Sequence, residues 1–128
     1  MIECPFCIRI ARTEIIVGNE LAAAINDAYP VSPGHTLIVP RRHIESFLDM
    51  TTEEQAAVWA LVDPVRLIFE KNRLPDGYNI GVNVGEAAGQ TIAHAHLHVI
   101  PRYSGDVKDP RGGIRWVIRS QAPYWKKS

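Results

Sequence analysis

The sequence predicts an α+β domain: about five strands in a mostly antiparallel sheet, with one main helix. Three observations carry this expectation. Apolar and polar residues alternate over 78–84 and again over 94–100, the period of a half-buried strand. Thr51 followed by Glu54 spells a capping box ahead of a long apolar-periodic stretch. Glycine and proline turns divide the remaining segments at hairpin spacing, with no linker, repeat or low-complexity tract between them.

In chain order, 13–18 (TEIIVG) is strand-like, and 21–25 (LAAAI) fits either a strand or the start of a helix. Asn26-Asp27, Pro30 and Pro33-Gly34 then hold the chain in a loop, before 35–39 (HTLIV), a β-branched strand that Pro40 stops. The helix runs from about 52 to 71. Trp59, Val62, Leu67 and Phe69 supply its apolar face, with Trp59 as a core anchor. Pro64 must kink or divide it, because proline removes a helical N–H and crowds the preceding turn. Leu74-Pro75-Asp76-Gly77 closes the helix. In 78–84 (YNIGVNV), Ile80, Val82 and Val84 face one way, and Asn79, Gly81 and Asn83 the other. A glycine-bearing loop, 85–91, leads into the strand 94–100 (HAHLHVI), stopped by Pro101. Residues 114–118 (IRWVI) offer one more strand ahead of Pro123-Tyr124-Trp125.

The chain is 128 residues long, 46% apolar and 22% charged, which suits a single domain over 1–128 with its own core. Fourteen Lys and Arg balance 14 Asp and Glu, so the electrostatic footprint of a nucleic-acid binder is missing. No apolar run reaches bilayer length, and the opening residues lack the basic and apolar regions of a secretory signal. These features lead to the expectation of a cytoplasmic protein with no membrane or nucleic-acid partner. The two cysteines, Cys4 and Cys7, fit a reducing compartment and also fit metal binding.

His94, His96 and His98 carry the strongest chemical signal. On one strand all three imidazoles would share a face, with Ala95, Leu97 and Val99 turned to the core. Three readings follow: a polar surface stripe, a three-histidine metal site, or catalysis by imidazole as nucleophile and acid. The preceding loop favours catalysis. Gly85 and Gly89 let backbone amides approach a ligand, Gln90 and Thr91 add neutral donors, and successive N–H groups can cradle an anion.

His94-Ala95-His96-Leu97-His98-Val99-Ile100 matches every position of the His-φ-His-φ-His-φ-φ motif, φ being apolar, and so resembles the histidine triad (HIT) family. The likeness extends through Asn83, the Ala88-Gly89-Gln90-Thr91 loop, Pro33-Gly34-His35 and Ile38-Val39-Pro40-Arg41-Arg42-His43, from Cys4 to about Arg102. It implies a HIT-like α+β domain that hydrolyses or transfers nucleotides at the α-phosphate. By that likeness His96 attacks phosphorus and carries a covalent nucleotidyl group, which water releases. His98 binds phosphate oxygens together with Gln90 and Thr91, His35 orients the nucleophile, and Asn83 lies near the phosphate. Asp27 falls where family members hold the ribose, and Phe6 and Ile25 where they wall the base. A neutral imidazole, with an ordinary pKa of about 6.5, is a good nucleophile near pH 7. The segment from Ile100-Pro101-Arg102-Tyr103 to Gly112-Gly113 resembles the branch that cleaves dinucleoside polyphosphates such as diadenosine tetraphosphate. Nucleoside phosphoramidate hydrolysis, or nucleotide binding with little turnover, are the alternatives.

Cys4-Pro5-Phe6-Cys7 also resembles a glutaredoxin redox motif, but that motif needs a strand before it, and only three residues precede Cys4. HIT proteins with an N-terminal Cys-x-x-Cys are similar in holding a structural zinc. The likeness assigns its ligands to Cys4, Cys7, His43 and His94, leaving the chemistry to His96 and His98. The alternative is two buried free thiols and a surface His43. The family likeness also implies a homodimer. Two features of the sequence agree: residues 78–84 hold no charge or proline to block edge pairing, and the helix has more apolar residues (Trp59, Leu61, Val65, Ile68) than one face needs.

Overall fold

The computed structural model describes residues 3–126; Met1, Ile2, Lys127 and Ser128, the ends of the expected 1–128 domain, lie outside the described residues. Five antiparallel strands form one sheet: β1 (Val17–Gly18), β2 (Ala22–Asn26), β3 (Thr36–Pro40), β4 (Gly77–Val82) and β5 (Leu97–Arg102), in the order β1-β2-β3-β5-β4. Three helices accompany it: α1 (Pro5–Ala11), α2 (Thr52–Ala60) and α3 (Val62–Glu70). The α+β class and the five-stranded sheet are those expected from the sequence.

The sheet is covered on both faces, which resolves the ambiguous 21–25 run. Ala22, Ala24, Ile38, Leu97 and Val99 face α2 and α3, where Val58, Leu61 and Val65 complete the core. Ile25, Leu37 and Val39 face the other way, under Cys4 and Phe6 of the N-terminal segment. A strand buried on both sides reads as a continuous apolar run, not as an alternation.

The single helix expected over 52–71 is two. α2 ends at Leu61 and α3 begins at Val62, so Pro64 occupies the first turn of α3, where its missing N–H costs no helical bond. Trp59 is not the expected core anchor: it is 50% exposed, because Val58 and Leu61 take the sheet-facing side and Trp59 is rotated away from it. The capping box is present. Thr51 Oγ1 accepts the Glu54 N–H at 3.0 Å, and Glu54 Oε1 accepts the Thr51 N–H at 2.9 Å. Glu54 is itself buried and gripped by the Arg42 guanidinium at 2.7 and 3.0 Å. Arg42 thus locks the β3 exit to the head of α2.

Removal of the Thr51 hydroxyl (Thr51→Ala) is expected to cost about 1 kcal/mol of stability, read from denaturant unfolding. The Arg42 guanidinium, then the Thr51 N–H, lower the Glu54 pKa to about 2. This contribution is therefore complete above the ordinary carboxylate value of 4.5 and is lost as pH falls toward 2.

Four further expectations are corrected. Strand pairing in 13–18 narrows to Val17–Gly18, because α1 occupies the preceding stretch and Thr13 ends it with a positive φ of 59°. The strand expected over 78–84 is shifted to Gly77–Val82, and Asn83 falls just beyond it. The strand expected over 94–100 begins only at Leu97 and continues through Pro101 to Arg102; the Ala95 N–H bonds the Ile44 carbonyl at 2.7 Å rather than joining the ladder. Residues 114–118 form no strand but lie within the 3-10 turns Gly113–Val117 and the residue after them. Gly112 and Gly113, both at positive φ, curl this segment, and the Arg115 side chain donates to the carbonyls of Gln121 and Ala122.

Candidate active site and metal centre

Because His94 and His96 precede β5, the three histidines have separate surroundings. The His94 Nε2–H donates to the Pro40 carbonyl at 2.8 Å, which leaves Nδ1 as a lone pair. That lone pair lies 3.3 Å from Cys4 Sγ, 3.6 Å from Cys7 Sγ and 3.2 Å from His43 Nδ1, while Cys7 Sγ lies 3.3 Å from His43 Nδ1. Four donors set around a zinc at roughly 2.0–2.3 Å stand about 3.3–3.8 Å apart at the edges of a tetrahedron. All four atoms lie within 4.8 Å of one another, so the donor set and its spacing fit such an ion. Burial, then the neighbouring Cys4, push the Cys7 thiol up to about 11, and a cation between the two sulfurs would reverse that preference. The helix α1 contributes directly: Cys4 is its N-cap, with Sγ accepting the Cys7 N–H at 3.3 Å.

His96 Nδ1–H donates to the His94 carbonyl at 2.8 Å. Its Nε2 is therefore the lone-pair nitrogen, as a nucleophile requires. The ring is buried edge-on against Phe6, with centroids 5.1 Å apart, and lies 5.0 Å from the His98 ring.

A chain of hydrogen bonds fixes the His98 tautomer. The Val31 N–H donates to His35 Nδ1 at 3.1 Å, so His35 carries its proton on Nε2. That Nε2–H lies 2.9 Å from His98 Nδ1 and 3.3 Å from Asp27 Oδ2. His98 Nδ1 accepts, and His98 Nε2–H is left as an outward donor. Burial, followed by the neighbouring His96 and His35 imidazoles, lowers the His98 pKa to about 4, so the ring stays neutral. Asp27, His35 and His98 also group their ligand atoms within 4.8 Å. A cation there would need the His35 Nε2 lone pair while Val31 occupies Nδ1, and a neutral ring offers only one lone pair. The cluster is a hydrogen-bond relay. Burial lowers the His35 pKa as well, against the opposing pull of Asp27.

His35, His98 and Asn83 line one cleft of about 650 Å³ over the β4–β5 face. Gln90 and Thr91 do not join them there. They line a separate recess with Glu45 and Glu86. The Gln90 amide donates to the carbonyls of Glu45 and Ile92 and accepts the Gly85 N–H, at 2.7, 3.0 and 2.9 Å, so it braces the loop between β4 and β5. Phe6 meets His96, whereas Ile25 is fully buried beneath α1. Sequence reasoning missed two contributors: the Val31 amide, which as backbone leaves no residue signal, and the far wall of the cleft, Ile114, Val117 and Ile118, whose apolar run reads as a strand.

The family model of the HIT domain matches residues 9–105. The bis(5'-adenosyl)-triphosphatase of Dictyostelium discoideum is 34% identical over 105 residues, 82% of this chain and 69% of that protein. The AP-4-A phosphorylase of Mycobacterium tuberculosis is also 34% identical, over 72% of this chain, which spans only 48% of that relative's length. Among solved structures, a zinc-bound histidine triad family protein from Mycobacterium smegmatis superposes with a TM-score of 0.74 at 34% identity, covering 81% of this chain and 78% of that one.

Proposed function

The chain belongs to the HIT family, and we propose on that premise that it is an enzyme hydrolysing a dinucleoside polyphosphate, such as diadenosine tetraphosphate, at an α-phosphate through a covalent nucleotidyl-His96. One observation carries the reading: the His94 carbonyl holds the His96 Nδ1–H, leaving Nε2 free beside the outward N–H of His98. His96 Nε2 bonds to phosphorus as the bond to the departing phosphate oxygen breaks, and the electron pair leaves with that oxygen as an anion. The His98 N–H meets charge developing on the phosphoryl oxygens. Water then attacks phosphorus, breaks the P–N bond and frees a mononucleotide, its proton passing to solvent. Asn83 lies on the phosphate side, Gln90 holds the loop there and Thr91 presents an exposed hydroxyl beside it. Asp27 takes the ribose, and Phe6 with Ile25 backs the base.

A second reading, nucleoside phosphoramidate hydrolysis, is favoured by one feature: the cleft beside His98 is lined by no lysine or arginine among the described residues, which suits an uncharged leaving group. Incubation of the protein with diadenosine tetraphosphate and, separately, with an adenosine phosphoramidate separates the readings by released mononucleotide. Release from the tetraphosphate supports the first, release from the amide alone selects the second, and release from neither leaves a binding role.

Two further proposals accompany this one. Cys4, Cys7, His43 and His94 hold a structural zinc, which would supply a positive charge between the two sulfurs and cross-link the N-terminus to the triad segment. The chain also forms a homodimer. β4 is an edge strand without a charged residue, and Trp59 and Leu67 leave apolar surface on the outside of α2 and α3, 50% and 53% exposed. Light scattering at micromolar concentration is expected to give about twice the 14.3 kDa chain mass, and a value near one chain rejects the dimer. Among the described residues no helix is long and apolar enough to cross a membrane; cytoplasmic location remains part of the proposal.

A further inference from the structure

Asp27 and His98 compete for one proton of His35. Asp27 and His35 flank the last pair of the β2–β3 ladder, Asn26 with Thr36, and the Asp27 N–H donates to the His35 carbonyl at 3.1 Å. The Tyr29 N–H donates to Asp27 Oδ1 at 2.8 Å and pins the carboxylate, with Oδ2 3.3 Å from His35 Nε2. Because the Val31 N–H fills His35 Nδ1, the single N–H of the neutral ring is on Nε2. That N–H has two acceptors, His98 Nδ1 at 2.9 Å and Asp27 Oδ2 at 3.3 Å. One proton cannot lie along both lines, and a hydrogen bond weakens as it bends.

Charge and exposure make this competition adjustable. His35 is the only ion-pair partner of Asp27 among the described residues, so no lysine or arginine draws the carboxylate away. The Asp27 side chain keeps 16% exposure and the His35 side chain 4%, so a ligand hydroxyl can reach the carboxylate but not the imidazole. A carboxylate oxygen has lone-pair room for such a donor beside the His35 N–H.

We propose that Asp27 is a positioning residue through which an occupied ribose site sharpens the His98 donor. The inference rests on the proposed ribose role of Asp27 and the proposed phosphoryl role of His98. Without ligand, Asp27 draws the His35 Nε2–H off the His98 line. A ribose hydroxyl that donates to Oδ2 weakens that pull, and the N–H aligns on His98 Nδ1. Electron density withdrawn from the His98 ring then makes its outward Nε2–H a stronger donor, as in any chain of hydrogen bonds that polarise one another. No proton leaves a nitrogen; only the direction of one N–H changes. Ribose is thereby selected in the chemical step as well as in binding, and a nucleotide without its hydroxyls meets a weaker donor at phosphorus. A carboxylate that only held the ribose would discriminate in binding alone.

Diadenosine tetraphosphate and an adenosine phosphoramidate, each beside its 2',3'-dideoxy counterpart, test this with the full chain. At saturation the dideoxy forms are expected to release mononucleotide about 5- to 20-fold more slowly in a single turnover, the scale of one improved hydrogen bond. In Asp27→Asn the Tyr29 N–H keeps the amide oxygen, so the amide NH2 faces His35 and offers it no lone pair. The rate gap is expected to close in this variant while the ribose form binds more weakly. Equal saturated rates in the full chain overturn the proposal whatever the binding difference, and this comparison needs no variant to fold. A gap that persists in Asp27→Asn overturns it as well. Should the full chain cleave neither substrate, the hydrolase reading fails separately, and NMR of the ring N–H groups decides the relay. Saturation with AMP must move the His35 Nε2–H resonance downfield of its position with 2',3'-dideoxy-AMP, and that difference must vanish in Asp27→Asn. Identical His35 resonances in the two complexes of the full chain overturn the proposal.

Discussion

His96→Ala is expected to lower mononucleotide release by about three orders of magnitude or more, the scale on which a lost nucleophile acts. Nucleotide binding should persist, because the donors of His98 and Asn83 are untouched. The fold should persist too, with some loss of stability from the missing contact with Phe6. The comparison is steady-state turnover beside calorimetric binding of AMP, with circular dichroism as the folding control; near-normal turnover in the variant removes covalent catalysis at His96. The pH dependence has a defined sign. Burial lowers the His98 pKa in the folded protein from 6.5 to about 4. The unfolded chain binds this proton first, so the contribution of neutral His98 to stability is complete above 6.5 and is lost as pH falls toward 4. Over the same interval His98 keeps both the Nδ1 acceptor for His35 and the outward N–H.

The second large effect concerns the metal. Elemental analysis of purified protein is expected to give about one zinc per chain, and removal with a strong chelator to lower the melting temperature by about 10 °C or more. A site held at 1,000 times its Kd contributes about 4 kcal/mol to folding, which in a domain of this size spans such an interval. Cys4→Ser should abolish the zinc content and reproduce the drop. Brief chelation that leaves zinc in place should leave turnover unchanged, since the proposed chemistry uses imidazole and not metal. Absence of zinc together with unchanged melting after chelation defeats the assignment.

The sequence pattern reached the sheet and the identity of the histidines but not their separation. Alternation at 94, 96 and 98 is the signature of one strand with one face, and it gives no sign that Ala95 bonds Ile44 and that the ladder starts at Leu97. A side chain–main chain bond such as His96 to the His94 carbonyl is likewise invisible to periodicity. α1 was overlooked although Pro5 follows Cys4 directly: proline at the first helical position is a start signal, but a thiol cap is not among the residues usually sought there. At the other end, Ile114 to Ile118 has strand composition, and tertiary bonds from Arg115 override it. The Cys/His cluster shows the opposite case. Cys4, Cys7, His43 and His94 are scattered in sequence, yet the structure gathers all four.

The His35–His98 bond joins residues 63 positions apart, and only the central β3–β5 pairing brings them together. Local hairpins, β2 with β3 and β4 with β5, can close early, over shorter loops. The β3–β5 junction must close the loop that carries both helices, the slowest kind of step for a chain this size to accomplish. Half-folded forms therefore contain the histidines without the relay that orients them. If the proposed chemistry holds, hydrolytic competence therefore depends on this one long-range strand pairing and not on the hairpins alone.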